Sequence, residues 1–445
     1  MGKGTNDPGG FGSEKAIFRR AAAADRPPDA TGRRSGKRGG VMAHNRVDRA
    51  VRVPRHDVGE RPFIVTWETT RACALACRHC RASAVPNRDP RELTTAEAED
   101  LLRQVADFGR PPPLFVITGG DPFERPDLCH LVRYGTGLGL PVAVSPSVTP
   151  TLTEPRLRAV RDAGATAISL SLDGSTAEIH DRFRGVAGVY ESTLRAWETA
   201  RSLGLKVQVN TTVTGHNVAD LADVAALVHA YGAMLWSLFL LVPTGRGRLL
   251  PPLTAVEVED VLHFAYDVGA VIPTKTTEGH HFRRVVIQRR VLEAHGIDHE
   301  PFLGLGERYR QLSDRWNELG VAAASQRVRR PPLDVNAGRG FVFISHTGDV
   351  QPSGFLPLTA DNVRHRSLVD IYRTAPLFTR LRDPQNLTGR CRSCELRTVC
   401  GGSRARAFAL TADPFAEDPW CAYEPGSFPF PQDVTRLAGP HRSDP

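Results

Sequence analysis

From Phe63 onward, short apolar runs alternate with longer amphipathic stretches. The runs cover 63–70 (FIVTWETT), 114–120 (LFVITGG), 141–147 (PVAVSPS), 166–174 (TAISLSLDG), 206–214 (KVQVNTTVT) and 234–241 (MLWSLFLL). Dense Val, Ile and Leu with few charges suit strands covered on both faces, as in a parallel sheet. Segments near 94–107, 125–138, 154–163, 190–203, 219–231 and 254–268 carry the helical period instead. Thr94 and Glu97 stand at capping-box spacing ahead of the first of these. Six β/α units predict an α/β fold, a partial (β/α)6 barrel with right-handed crossovers, short of the closed eightfold form. In such a barrel, the active groups belong at the C-terminal ends of the strands.

Around residue 270 the alternation fades. Residues 61–270 read as the barrel and 271–340 as a helical connector. A strand-and-turn unit, FVFISHTGDVQPSGFLPL (341–358), then opens a C-terminal extension reaching to 425, with 426–445 as a flexible tail. Thr347-Gly348-Asp349 has hairpin-turn chemistry. At the other end, residues 1–60 are rich in Gly, Pro, Ala and Arg and lack either period. They read as a disordered basic tail, with Met42 as an alternative start.

Charge changes the picture only slightly. Of the net +8, residues 1–60 contribute +6, from 13 Lys+Arg against 7 Asp+Glu. The body is therefore nearly neutral, which argues against a nucleic-acid surface. No apolar run reaches the roughly 18 residues of a membrane span, and no secretory signal opens the chain. A cytoplasmic protein without a membrane partner is expected.

Cysteine placement carries the chemistry. Seven of the eight cysteines fall in two groups more than 300 residues apart, a pattern of metal ligands before disulfides. Cys73, Cys77 and Cys80 follow the first strand. Three thiolates can hold three irons of a [4Fe–4S] cube and leave the fourth open, whereas ordinary ferredoxin clusters use four cysteines. Structural zinc usually takes four ligands, and only His79 lies nearby as a further donor. The second group, Cys391, Cys394, Cys400 and Cys421, can close a site completely, so iron–sulfur and zinc both suit it. Cys129 sits in a predicted helix and reads as an apolar core residue. After the second strand come Gly119, Gly120, Asp121 and Pro122, where glycines permit close backbone approach and oxygens can accept from an ammonium group. Asn210 and Thr212, late on the fifth strand, face the same end.

The spacing C-x3-C-x2-C after strand one resembles the signature of the radical SAM superfamily. The resemblance implies a [4Fe–4S] cluster on Cys73, Cys77 and Cys80 that binds S-adenosylmethionine (SAM). One electron then splits the sulfonium and releases a 5′-deoxyadenosyl radical that abstracts hydrogen. Gly119–Pro122 resembles the GGEP motif for the SAM amino group, with Asp121 in place of Glu. By the same resemblance His79 lies near the adenine, Ser171 bonds the ribose and Arg184 takes the SAM carboxylate. The order C-x2-C-x5-C-(x20)-C resembles the SPASM extension, which implies an auxiliary [4Fe–4S] cluster. Ser353 and Ser403 stand where relatives with a second auxiliary cluster often carry Cys, so one auxiliary cluster is expected.

Longer phrases narrow the resemblance: WETTRACALACRHCRA (67–82), LVPTGRG (241–247), FISHTGDVQP (343–352) and CGGSRARA (400–407). They look like the radical SAM/SPASM enzymes of alternative haem and haem d1 biosynthesis (NirJ/AhbD type). That family remodels propionate side chains of an iron porphyrin oxidatively, which implies a carboxylated tetrapyrrole substrate and a flavodoxin- or ferredoxin-type electron donor. Arg246, Arg248, His280, His281, Arg283 and Arg284 are the residues offered to such a macrocycle. A SPASM maturase acting on a ribosomally made peptide is the alternative. A non-catalytic iron–sulfur sensor or zinc scaffold is a third reading, which the amino-group cradle at strand two argues against.

Overall fold

In the computed structural model, which describes residues 49–321 and 329–439, the six apolar runs become six parallel strands. They are β1 (Ile64–Glu68), β2 (Leu114–Thr118), β3 (Val142–Val144), β4 (Ala167–Ser171), β5 (Lys206–Val213) and β6 (Leu235–Leu240), paired in chain order. The helices between them are α1 (Thr95–Ala106), α2 (Leu128–Gly137), α3 (Glu154–Asp162), α4 (Ala177–Arg184), α5 (Val189–Ser202) and α6 (Leu221–Ala230), with α7 (Ala255–Val268) after β6. The Thr94–Glu97 capping box forms and starts α1. Helix α4 was not foreseen, because its eight residues bury only His180, Phe183 and Arg184 and show little apolar period.

Alternation along the strands sorts their side chains into two sets. Val65, Trp67, Phe115, Ile117, Ile168, Leu170, Val207, Val209, Trp236 and Leu238 are buried under the helices. Each is worth about 1.5–3 kcal/mol of burial. Thr66, Val116, Ser169, Ser171, Gln208, Asn210 and Ser237 occupy the other face and line a polar lumen. Cys129 is half-buried on α2 and packs against the apolar core, as expected of it.

The sheet is wider than six strands. Strand β7 (Thr274–Thr277) adds in parallel to β6, inside the segment expected to be helical. Its sequence, TKTT, has no apolar run to signal a strand, and its backbone pairing with β6 supplies what its side chains do not. The same segment also holds the helices α8 (Phe282–His295) and α9 (Glu307–Glu318). Strand β8 (Gly340–Ile344) pairs in parallel with β1, so the C-terminal extension begins inside the barrel sheet. Gly348, at φ +90°, turns the chain back into antiparallel β9 (Asp349–Gln351). Among the described residues β7 and β8 bound the parallel run without pairing, which leaves the barrel open.

Both tails need partial correction. Ala50 and Val51 are fully buried, the Ala50 N–H donates to Leu437 O, and Arg52 bridges Leu333. Residues 49–52 are therefore part of the fold, while 1–48 lie outside the described residues. Likewise α10 (Arg404–Thr411) is followed by α11 (Pro431–Ala438), whose Val434 and Leu437 are buried and which packs on α8. Two apolar side chains three apart suffice to seat such a helix; residues 440–445 lie outside the described set. Among the described residues no helix is long and apolar enough to cross a membrane.

Candidate active site

The first cysteine loop leaves the C-terminal end of β1 and stays zipped to its neighbours. Thr69 N–H donates to Thr118 O, Gly120 N–H to Thr70 O at 2.7 Å, and Asp121 N–H to Ala72 O at 2.7 Å. On the far side Cys73 N–H donates to Val85 O. Three glycines from three different elements press against this loop. A Cβ on Gly120 would meet Ala72 O and lie 2.7 Å from Arg71 O. One on Gly185 would lie 2.8 Å from Ala76 O, and one on Gly245 would strike Cys80 O and Arg81 O. Arg246 closes the clamp: its N–H donates to Cys80 O, its Nε to Cys77 O at 2.9 Å and its Nη1 to Ala84 O. Arg246 therefore holds the cysteine loop and is not free for a macrocycle, while Arg248 is exposed.

Each thiol has a polar partner. Cys73 Sγ accepts from Leu75 N and donates to Ser147 Oγ, whose own hydrogen goes to Gly120 O at 2.6 Å. Cys77 Sγ accepts from Arg184 Nη1 at 3.7 Å, and Cys80 Sγ accepts from Ala84 N. Burial raises the Cys73 thiol, so ligation would have to expel its proton. Donors aimed at sulfur are what an iron–sulfur cluster's thiolates use. Among the described residues no three His, Cys, Asp or Glu side chains gather as ligands for one metal ion. A tetrahedral zinc site needs its donors about 2.0–2.3 Å from a common centre.

The residues expected around SAM are distributed less simply. Asp121 is fully buried, and its carboxylate already accepts from Phe123 N, Thr149 Oγ1 at 2.7 Å and Thr151 Oγ1 at 2.9 Å. It caps the short turn that Pro122 begins, and the glycines serve first to fit against residues 70–72. Ser171 ends β4 on the lumen face, in register with Asn210 of β5. Asn210 Oδ1 accepts from Gln208, and Thr212 N–H donates to Asp173. Arg184 ion-pairs with Asp173 in the buried wall and touches Cys77, leaving its Nε–H without a partner. His79 stacks on Phe183 with centroids 4.7 Å apart, and burial with the Arg184 charge holds its imidazole neutral, well below its usual range.

The second cysteine group is equally compact. Cys391, Cys394, Cys400 and Cys421 all line one cavity of about 470 Å³, counted to its open mouth. Arg404 Nη2 lies 3.8 Å from Cys391 Sγ, and a Cβ on Gly402 would come within 3.3 Å of that sulfur. Burial pushes the Cys394 thiol up to about 12 and raises those of Cys400 and Cys421, so these sulfurs stay protonated until a metal displaces the protons.

The GHHFRR segment (279–284), offered above to a macrocycle, supports this second site instead. His281 is fully buried on the cavity wall, neither ring nitrogen hydrogen-bonded and Nδ1 3.8 Å from Asp418 Oδ2. Arg284, also on that wall, is forked onto Glu259. Arg283 donates to the carbonyls of Leu333, Val335 and Val399, and His280 is held between Arg283 and Glu278. A run of cations after a strand resembles surface in one dimension; the fold of α8 against the cysteine loop turns it inward. Ser353 and Ser403 gain an explanation as well. Ser353 Oγ donates to Glu278 Oε1 at 3.1 Å and Ser403 Oγ to Glu278 Oε2 at 2.5 Å. Where a second auxiliary cluster would need thiolates, one buried carboxylate ties two hydroxyls. Glu278 itself has φ +55°, and nothing in the sequence singled it out.

With this geometry established, the comparisons with known proteins fall into place. Residues 67–228 match the model of the radical SAM superfamily. The chain is 39% identical to an AdoMet-dependent heme synthase of Oleidesulfovibrio alaskensis, over 82% of this chain and 88% of that one. The chain belongs to the radical SAM superfamily. It is an enzyme of that superfamily, with its cysteine loop at the strand ends where such chemistry is placed. Mycofactocin maturase MftC of Mycobacterium ulcerans is 32% identical, over 81% of this chain and 88% of that one. Among solved structures, Streptococcus suis SuiB bound to its precursor peptide SuiA shares the fold, with TM-score 0.58 at 17% identity, over 82% of this chain and 76% of that one. The family binds a [4Fe–4S] cluster and SAM, and the loop just described suits both.

Proposed function

We propose that this radical SAM enzyme acts on a carboxylated iron porphyrin in haem-type biosynthesis, removing propionate carboxylates as CO2. The observation that carries the SAM half is the clamped loop, which presents three thiols with donors already aimed at them. When bound, the cluster supplies one electron to the sulfonium of SAM and so a 5′-deoxyadenosyl radical. Cys73, Cys77 and Cys80 would hold it. The backbone of Gly119 and Gly120 and the free Nε–H of Arg184 would orient the methionine part of SAM, His79 would border the adenine and Ser171 the ribose. The protein's own work is to place the substrate at the lumen mouth and keep water from it. Similarity to a heme synthase supports the tetrapyrrole half. A small acidic electron carrier in the reducing cytoplasm fits as donor.

The test is anaerobic turnover of the reconstituted chain with reductant, SAM and iron coproporphyrin. The expected product has lost CO2 and two hydrogens for each propionate converted to vinyl: one leaves as a hydrogen atom to the 5′-deoxyadenosyl radical and the other as a proton, with one electron passing to a one-electron acceptor supplied in the assay. Absence of any porphyrin product alongside abundant 5′-deoxyadenosine would direct attention to the second reading, maturation of a peptide, which the likeness to MftC favours.

The four-cysteine cavity is proposed to hold one auxiliary [4Fe–4S] cluster. Reconstituted wild type should then contain about eight iron atoms per chain, four per cube. Cys394→Ala should lower the count toward about four, leave SAM binding in place and abolish turnover. Zinc in that cavity after metal-free reconstitution, or unchanged iron in the variant, would refute the assignment.

A further inference from the structure

Most side chains on the lumen face of the sheet are neutral; Glu68 at the end of β1 is paired with Arg81, and a second charge lies in β7. Lys275 is in register with Ser237 of β6 and shares its face with Thr277, whose Oγ1 is 3.4 Å from Ser237 Oγ. The opposite face of β6, with Trp236, Leu238 and Leu240, is packed in the apolar core under the helices. The Lys275 stem therefore runs along the inner wall. Of the two lysines in the described chain, Lys206 is exposed at the start of β5, whereas Lys275 is half-buried.

Four buried arginines have an anion in contact: Arg184 has Asp173, Arg284 has Glu259, Arg289 has Asp267 and Arg406 has Asp418. Buried Arg404 instead donates to carbonyls of Pro414 and Ala416. Among the described residues no carboxylate pairs with Lys275. The charge that bears on it is that of Arg330, which also bears on Arg52. Burial and this repulsion lower its ammonium to about 8. A partly dehydrated cation beside like charge is costly to keep unless an anion arrives with the ligand.

We infer that Lys275 is the seat for a carboxylate of the substrate, on the β7 wall of the lumen, with Arg330 strengthening the same positive field. This rests on the carboxylated-substrate reading above and names the residue that would select for it. A neutral ester in place of the carboxylate would lose the ion pair but keep the apolar contacts.

The experiment compares full-length wild type, Lys275→Met and Lys275→Arg, reconstituted anaerobically. Iron coproporphyrin and its tetramethyl ester are titrated by Soret absorbance. Lys275→Met should weaken the tetracarboxylate by about 10-fold, the size of one lost charge-assisted contact. It should leave ester binding and substrate-free 5′-deoxyadenosine formation unchanged. Lys275→Arg should restore most of the affinity. Equal tetracarboxylate affinity in wild type and Lys275→Met, or an equal loss for the ester, overturns the role of Lys275 while leaving the tetrapyrrole reading intact. Failure of wild type to bind the tetracarboxylate at all overturns both.

Discussion

Cys77→Ala should reduce SAM-dependent 5′-deoxyadenosine formation to background while the chain still folds. In the proposed site this thiol is one of three cluster ligands, so removing it leaves two cysteines in the loop, too few to hold the cube. The fold should tolerate the change because the loop's shape is set by other groups: the pairs Gly120–Thr70 and Asp121–Ala72, and the Arg246 clamp on Cys77 and Ala84 carbonyls. Arg184 loses a sulfur partner but keeps Asp173. The cost to stability should be about 1 kcal/mol, that of a small cavity at a buried site. Chromatographic assay of deoxyadenosine, with iron content and thermal melting in parallel, checks both halves. Substantial deoxyadenosine from the variant would falsify the assignment of the first cluster.

Gly120→Ala is expected to damage the site without touching any sulfur. The new methyl group would fall on the carbonyls of Arg71 and Ala72, which are backbone and cannot swing aside. Moving them breaks the hydrogen bonds these carbonyls accept, from Asp121 N–H to Ala72 O at 2.7 Å and from Val85 N–H to Arg71 O at 3.1 Å, each worth about 1 kcal/mol net. Overpacking adds about 1–3 kcal/mol more. The melting temperature should fall clearly and reconstituted iron should drop toward what the second group alone retains. Gly137→Ala is the control. That glycine ends α2 with open space around the added methyl, so the change should be neutral or slightly stabilising. If Gly120→Ala melted and bound iron like Gly137→Ala, the clamped-loop account would be wrong.

Much of the site was legible in one dimension because its ligands are local. Cys73, Cys77 and Cys80 lie within eight residues, so their spacing alone announces a metal loop. The same holds for Gly119–Pro122 after an evident strand. What one dimension hid were contacts in which a side chain's partner is remote in sequence. Arg246 meets carbonyls 162 and 169 residues away, and Ser353 and Ser403 meet Glu278 across 75 and 125 residues. The hydroxyls that bond Asp121, on Thr149 and Thr151, lie one β/α unit further on. Strand β7 was hidden because polar TKTT gains its order from pairing with β6.

The period of the apolar runs and the two thiol spacings pointed on their own to a partial barrel with two cysteine clusters of metal-ligand type, since strand burial and ligand geometry both act over a few residues. Which cations brace the cysteine loops, which serine pair converges on one carboxylate and which lysine is left without an anion were decided only by folding. Those outcomes depend on distances between segments far apart along the chain, and no local pattern encodes them.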